Sequence, residues 1–561
     1  MNSGNDEDGC RKKGRSKSAL VLAAAIERAT EQFIQKGDEI VTDAPDEVKH
    51  ELIDAIRQVR TNGGEMSLVA SEFASAPCTP GLRHNLVRTA RALLSAVARL
   101  LIVADQVDVH RLLASLRIVS RDLDDMKTAR SSRELVSHFK SFGRDIVSLD
   151  GVAKMRQSDL LDPRSQEHIA AARAYLKSHA MLLLTASEAA LAHPDLEATA
   201  ANRDFVLAAM FRAIDDIGTA STAGVDSEET PGLARALNEL EAVCGRPPTY
   251  NVARLRPVLE SKLEAIISGA GHLADAPDTP AVRRQRIVES CNSVRQALQD
   301  LLQAYSQGSK SDSPALTHFF AATDTLRRQL RRAAADAVCE VLLDPESPSE
   351  RLINAAKAQQ PLNEQHLNDQ INRIVHASDL TCAVSSDFDG VRLVRAAINQ
   401  LVSLTPQLVN AACTLGILPD DSITVNNAAV FHSTWRKTLR VVTEALDDLT
   451  ALEDVVAVLE DRILRDVNNA VASLRNGDVN SLWKCEALVR LRVQRLCDAI
   501  DGAMEGKERS LYTDQVMNAL TNLVEAACPR FSHAVSNAEK NGESDEFVAS
   551  AQGVYDAVRE V

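Results

Sequence analysis

Acid–base, nucleophilic or metal chemistry in this chain would have to come from its thirteen His, ten Cys and 78 acidic residues, so their spacing is the first question. None of it forms a recognisable constellation. There is no C-x-x-C pair, no H-E-x-x-H, no Gly-rich phosphate loop of either common type and no D-x-D-x-D-G calcium loop. His366 and His376 lie ten residues apart on a polar stretch, without the spacing that aims two imidazoles at one ion, and the bland reading is solvated rings or core rings with satisfied nitrogens. Asp447 and Asp448, like Asp124 and Asp125, are sequence neighbours that diverge on a helix, whereas a catalytic acid and base must face one reacting group. The expectation is no catalytic residue, no metal ligand, no cofactor and no enzymatic activity. The cysteines, from Cys10 to Cys528, read as free thiols of a reducing compartment.

The chemistry that stands out is recognition between helices. In "RRQRIVESCNSVRQALQDLLQAY", Arg283 to Tyr305, the large apolar residues Ile287, Cys291, Val294, Leu298, Leu301 and Tyr305 recur in steps of four and three. Such a stripe suits the buried side of a bundle helix, and equally a helix that another protein takes into a groove. Charged edges accompany it. Arg327, Arg328, Arg331 and Arg332 share one edge of "LRRQLRR", Arg490, Arg492 and Arg495 share another, and "EALDDLTALED" (Glu444 to Asp454) is a dense acidic counterpart. Between neighbouring bundles these edges can act as clasps, each contributing about 0–1 kcal/mol where exposed. Arg283, Arg492 and Arg495 are the selected clasp residues.

Elements that could position these features are helical throughout. The chain is 45% hydrophobic and 25% charged but only 3% aromatic, with sparse Gly and Pro and no alternating β-branched runs. The predicted class is all-α: tandem antiparallel bundles, mostly four-helix, after a long N-terminal helix. That helix is read from His84 to Val119, where Leu86, Ala90, Leu93, Val97, Leu100, Ala104 and Val107 keep one face. Its length would exceed about 50 Å at roughly 1.5 Å per residue. Punctuation divides the chain into a basic and acidic unstructured tail (1–15), an N-terminal bundle (16–218), a linker (219–232) and three further bundles (233–345, 346–455 and 456–561). A net charge of -15 argues against nucleic acid as a ligand. The uncharged run Ala396 to Pro419 is read as a buried bundle helix broken or restarted near Pro406, not as a membrane span.

Several segments in order along the chain resemble the alpha-catenin family within the vinculin and alpha-catenin superfamily. They include "RTARALLSAVARLLIVAD", "AAARAYL", "RIVESCNSVRQALQDLL", "LRRQLR" and "GVRLVRAAINQL". The resemblance implies a cytoplasmic, cytoskeleton-associated adaptor at cell–cell adherens junctions, with beta-catenin and vinculin as partners and cadherin reached indirectly. It assigns beta-catenin binding to Val87, Leu93, Leu94, Val97, Leu100 and Leu101, on a surface that also supports homodimerisation in that family. It assigns a tension-exposed vinculin-binding helix to Ile287, Val288, Cys291, Val294, Leu298, Leu301, Leu302 and Tyr305. Actin filaments are a family partner through a C-terminal five-helix bundle, which is expected to be missing here together with the family's first helix. A vinculin-like or alpha-catulin-like scaffold working without cadherin is the alternative.

Overall fold

The computed structural model describes residues 13–76, 79, 81–222, 232–245, 252–276, 279–307, 314–504, 510–541 and 545–561. These are helices and the turns between them, with no strand among the described residues. They group into two compact units.

The first unit comprises residues 1–195 and 203–227. Its helices are α1 (Lys13–Asp43), α2 (Asp46–Ser75), α3 (Leu82–Thr128), α4 (Ser132–Asp159), α5 (Pro163–Ala192) and α6 (Glu197–Thr222), the last belonging to it from Arg203 onward. Helix α1 begins inside the segment expected to be an unstructured tail, while residues 1–12 and most of the expected linker lie outside the described residues. The long helix α3 has 47 residues, about 70 Å at the standard rise. Its polar continuation past Val119 keeps Asp122, Leu123 and Met126 buried, so the face persists although its apolar character thins.

Two cores share α3. Its first half buries Leu93, Ala96, Leu100, Val103 and Val107 against Ile34 of α1 and Val48, Leu52, Ile56 and Val59 of α2. Close approach of α1 to α2 depends on Gly63, where a Cβ would stand 2.5 Å from Thr30 Cγ2. The second half packs on α4, and α5 packs on α4 in turn. Local signals set these helix starts. Ser131 caps α4 by accepting from the Glu134 N–H, and Asp162 caps α5 immediately before Pro163.

The second unit comprises residues 196–202 and 228–561. Helices α7 (Leu233–Cys244), α8 (Val252–Ala274), α9 (Ala281–Ser306) and α10 (Pro314–Val341) pack together, with α9 against both α8 and α10. Next come α11 (Ser347–Lys357), α12 (Glu364–Val384), α13 (Phe388–Ile417) and α14 (Ser422–Leu449), centred on the α13–α14 pair. The last set is α15 (Leu452–Arg475), α16 (Val479–Met504), α17 (Leu511–Asn522), a π-turn at Leu523–Ala527, α18 (Cys528–Asn541) and α19 (Asp545–Glu560). Helix α10 also packs on α12 and α15, which places it at the junction of the three sets.

The break expected near Pro406 does not occur: α13 is continuous from Phe388 to Ile417 with Pro406 inside it. Proline removes one backbone donor and crowds the preceding turn, and packing overrides that cost. Thr405 Oγ1 donates to the Leu401 carbonyl at 2.8 Å and accepts from Nε1 of the fully buried Trp435 at 3.0 Å, pinning the turn at the proline to α14. No helix among the described residues is long and apolar enough to cross a membrane.

Candidate binding surfaces and an internal ion network

On α9 the spacing rule has a direct structural consequence. Ile287, Cys291, Val294, Leu298, Leu301, Leu302 and Tyr305 are all buried, and only Val288 among the eight expected vinculin-binding residues faces outward, at 52% exposure. At the C-terminal end the Tyr305 hydroxyl donates to the Cys244 carbonyl of α7 at 2.5 Å. Burying each large aliphatic side chain is worth roughly 1.5–3 kcal/mol, so the stripe represents on the order of 10 kcal/mol held within its own bundle. In this state α9 is a core helix.

At the N-terminal end of α9 the chain is held by charge. Arg283 is buried, and its Nε donates to Asp336 Oδ2 of α10 at 3.0 Å. Asp336, 2% exposed, also accepts from Arg462 Nε of α15 at 3.2 Å. Arg462 Nη1 reaches Glu340 Oε2 at 2.8 Å, and the same oxygen accepts from Arg492 Nη1 of α16 at 2.9 Å. Arg492 Nε then donates to Asp466 Oδ2 of α15 at 2.7 Å. One connected network therefore runs from α9 through α10 and α15 to α16. A second clasp joins Arg495 of α16 to Asp447 at the end of α14, with Nη1 to Oδ2 at 3.0 Å and a second, shorter Nη2–Oδ1 contact. A third joins Arg331 and Arg332 of α10 to the buried Asp454 at the start of α15, at 3.0 and 3.2 Å.

The surroundings decide the strength of these clasps. Arg492 is 4% exposed. Burial works against its positive charge, but Glu340 and Asp466 outweigh that and hold its pKa above the usual arginine value. The same balance, with Asp447 as partner, raises that of Arg495. The sequence expectation of weak exposed pairs is therefore corrected for this network. Removing one partner of a buried pair costs about 3–5 kcal/mol because the other charge is stranded. The expected basic edges also split. Arg327, Arg331, Arg332, Arg492 and Arg495 make long-range bridges, Arg327 to Glu241 of α7 at 3.0 Å, whereas Arg328 pairs with Asp324 on its own helix and Arg490 is exposed. Sequence reasoning missed the acceptors Asp336, Glu340 and Asp466. A signal existed, since Asp336 and Glu340 stand four residues apart inside the apolar run "AAADAVCEVLL".

The six residues expected on the α3 surface separate by face. Leu93 and Leu100 belong to the core with α1 and α2, and Val97 packs against that core half-buried. Val87, Leu94 and Leu101 are exposed, Leu94 at 69%, and recur every seven residues as one outward apolar line. A helical partner could use only this second group without unfolding the first.

Among the described residues no cluster of three or more His, Cys, Asp or Glu could hold a metal ion. Both candidate histidines sit on α12; His366 is exposed and His376 is half-buried, its shielded Nε2 without a hydrogen-bond partner. The described cysteines are free; Cys10 and Cys78 lie outside the described residues. Burial drives the Cys339 thiol, next to the ion network, up to about 12, which makes it inert as a nucleophile.

Comparison with known proteins agrees with this architecture. The chain is 42% identical over its whole length to catenin alpha-2 of Mus musculus, covering 61% of that protein, and 39% identical over 98% of its length to catenin alpha of Drosophila melanogaster, covering 63%. It thus spans less than two thirds of the length of these relatives. Among solved structures, a vinculin homologue from a sponge superimposes with a TM-score of 0.78 at 17% identity, over 96% of this chain and 69% of the other, a likeness of fold. The HMP-1 M domain superimposes with a TM-score of 0.53 at 30% identity, over 58% of this chain and 97% of the other. The vinculin family profile matches residues 4–561, and with this helical architecture the chain belongs to the vinculin family.

Proposed function

We propose that this protein is a cytoplasmic, non-enzymatic adaptor of cell–cell adhesion that joins the cadherin/beta-catenin complex to the actin cytoskeleton. Its first unit takes a beta-catenin helix or a second copy of itself along Val87, Leu94 and Leu101. Its second unit holds three bundles, as the punctuation at 346 and 456 suggests, and α9 in the first of them is a concealed vinculin ligand. The observation that carries this reading is the placement of α9. Its seven inward residues are core, and its N-terminal arginine is tied into a buried ion network spanning four helices. Identity to the catenin alpha relatives over the full chain supports the adhesion role.

A partner can engage the α9 stripe only after these residues leave their bundle. Apparent affinity then falls by the fraction of chains that are open, and tension raises that fraction. Arg283, Arg492 and Arg495 hold the closed state.

The partner assignment is tested by retention on an immobilised beta-catenin N-terminal peptide. The wild-type chain is retained, and Leu94→Asp with Leu101→Asp abolishes retention while the circular dichroism spectrum is unchanged. Both positions are exposed, so the substitutions leave the core residues Leu93 and Leu100 untouched. Failure of the folded wild-type chain to be retained favours the vinculin-like or alpha-catulin-like scaffold that works without cadherin.

A further inference from the structure

Helices α3 and α4 meet in the second core of the first unit, and one residue there breaks the rule that buried charge is paired. Asp122 is 8% exposed, set between Val119, Leu123 and Met126 on the inward face of α3. Its Oδ2 is shielded from solvent and no hydrogen-bond donor reaches it. The group within hydrogen-bonding reach is another carboxyl, Asp145 of α4. The other charges acting on Asp122 are on its own helix: Asp125 adds repulsion, and Arg121 offsets part of it.

Two carboxylates cannot face each other in a poorly hydrated seam without cost, but a carboxylic acid and a carboxylate form a strong hydrogen bond. We propose that Asp122 and Asp145 form a proton-operated fastener of the α3–α4 seam: one proton taken from solvent joins the two carboxyls, and its release leaves two like charges that loosen α4 from α3. The step is a simple binding equilibrium in which the pair goes from two negative charges to one.

The working range follows from the environment. Burial, then the hydrogen bond and charge of Asp145, push the Asp122 carboxyl up to about 6, against an ordinary value of 3.8. A carboxyl whose folded value lies above its unfolded value binds more protons when folded. Stability of the seam is therefore highest below the unfolded value and declines as pH rises to about 6, above which the full penalty applies. Approaching neutrality, small acidifications thus restore part of the bond. This device stands apart from the adhesion reading, because neither carboxyl belongs to the outward line on α3 or to the α9 network.

Hydrogen exchange of the full chain, followed by mass spectrometry on peptides covering α3 and α4, tests it at about pH 5 and about pH 7.5 after correction for intrinsic rates. Protection of these peptides in the wild type is expected to fall about tenfold across that interval. Asp122→Asn, which can donate permanently to Asp145, should keep protection high at both values. Asp145→Asn provides the same test from the other helix if the first variant fails to fold. An equal pH-dependent fall in wild type and in a folded variant would overturn the proposal. Restoration of wild-type protection at the higher pH by calcium would also overturn it, since the pair would then be a metal site.

Discussion

The ionic residues inside the second unit show why sequence-level charge counting misjudges strength. Arg492 and Arg495 could be selected from their helical edge, but whether a pair is exposed or stranded depends on neighbours far away in sequence, more than a hundred residues for Glu340 and Arg492. Their acceptors were legible only as unexplained acids in an apolar run. Asp122 belongs to the same class: the adjacent pairs Asp124–Asp125 and Asp447–Asp448 are conspicuous in the sequence, while the carboxyls that meet are on different helices. Arg492→Ala is expected to lower the stability of the second unit by about 3–5 kcal/mol in urea unfolding; a loss below about 1 kcal/mol would assign it to the weak exposed class. On α9, Leu298→Ala should cost about 2–5 kcal/mol, whereas Val288→Ala, on the outer face, should stay within about 0.5 kcal/mol.

At the level of elements, periodicity made α9 and most of α3 legible because a buried stripe repeats every three to four residues whatever surrounds it. Its limits show at Pro406. Local preference argues for a break, and the bond from Trp435 to Thr405 lies beyond the reach of any sequence window. Pro406→Ala keeps that bond and restores a backbone donor, so it should raise the unfolding midpoint of the second unit. The gain is bounded by the roughly 3 kcal/mol difference in helix propensity, and an unchanged or lower midpoint in a calorimetric scan would show that the proline is accommodated without cost. The split of the α3 residues into inner Leu93 and Leu100 and outer Val87, Leu94 and Leu101 was also hidden, since core and groove residues share one apolar alphabet.

For the whole molecule, fold class and chain-long kinship were within reach of the sequence, because composition, spacing and order of segments survive divergence. The state of α9 was not, since the same stripe fits a bundle and a partner. Energetics separates the two uses. Releasing the stripe costs on the order of 10 kcal/mol, comparable to the 5–15 kcal/mol that stabilises a whole domain, so the closed chain should be a poor vinculin ligand until load or mutation opens it. The decisive measurement is the affinity of the vinculin head for three species: a 284–305 peptide, the intact chain, and the intact chain carrying Asp336→Asn with Arg492→Ala. The peptide should bind most tightly, the intact chain at least about a hundredfold more weakly, and the double variant between them, because opening sets the apparent constant. Equal affinities for all three would contradict a concealed ligand and leave α9 as a core helix.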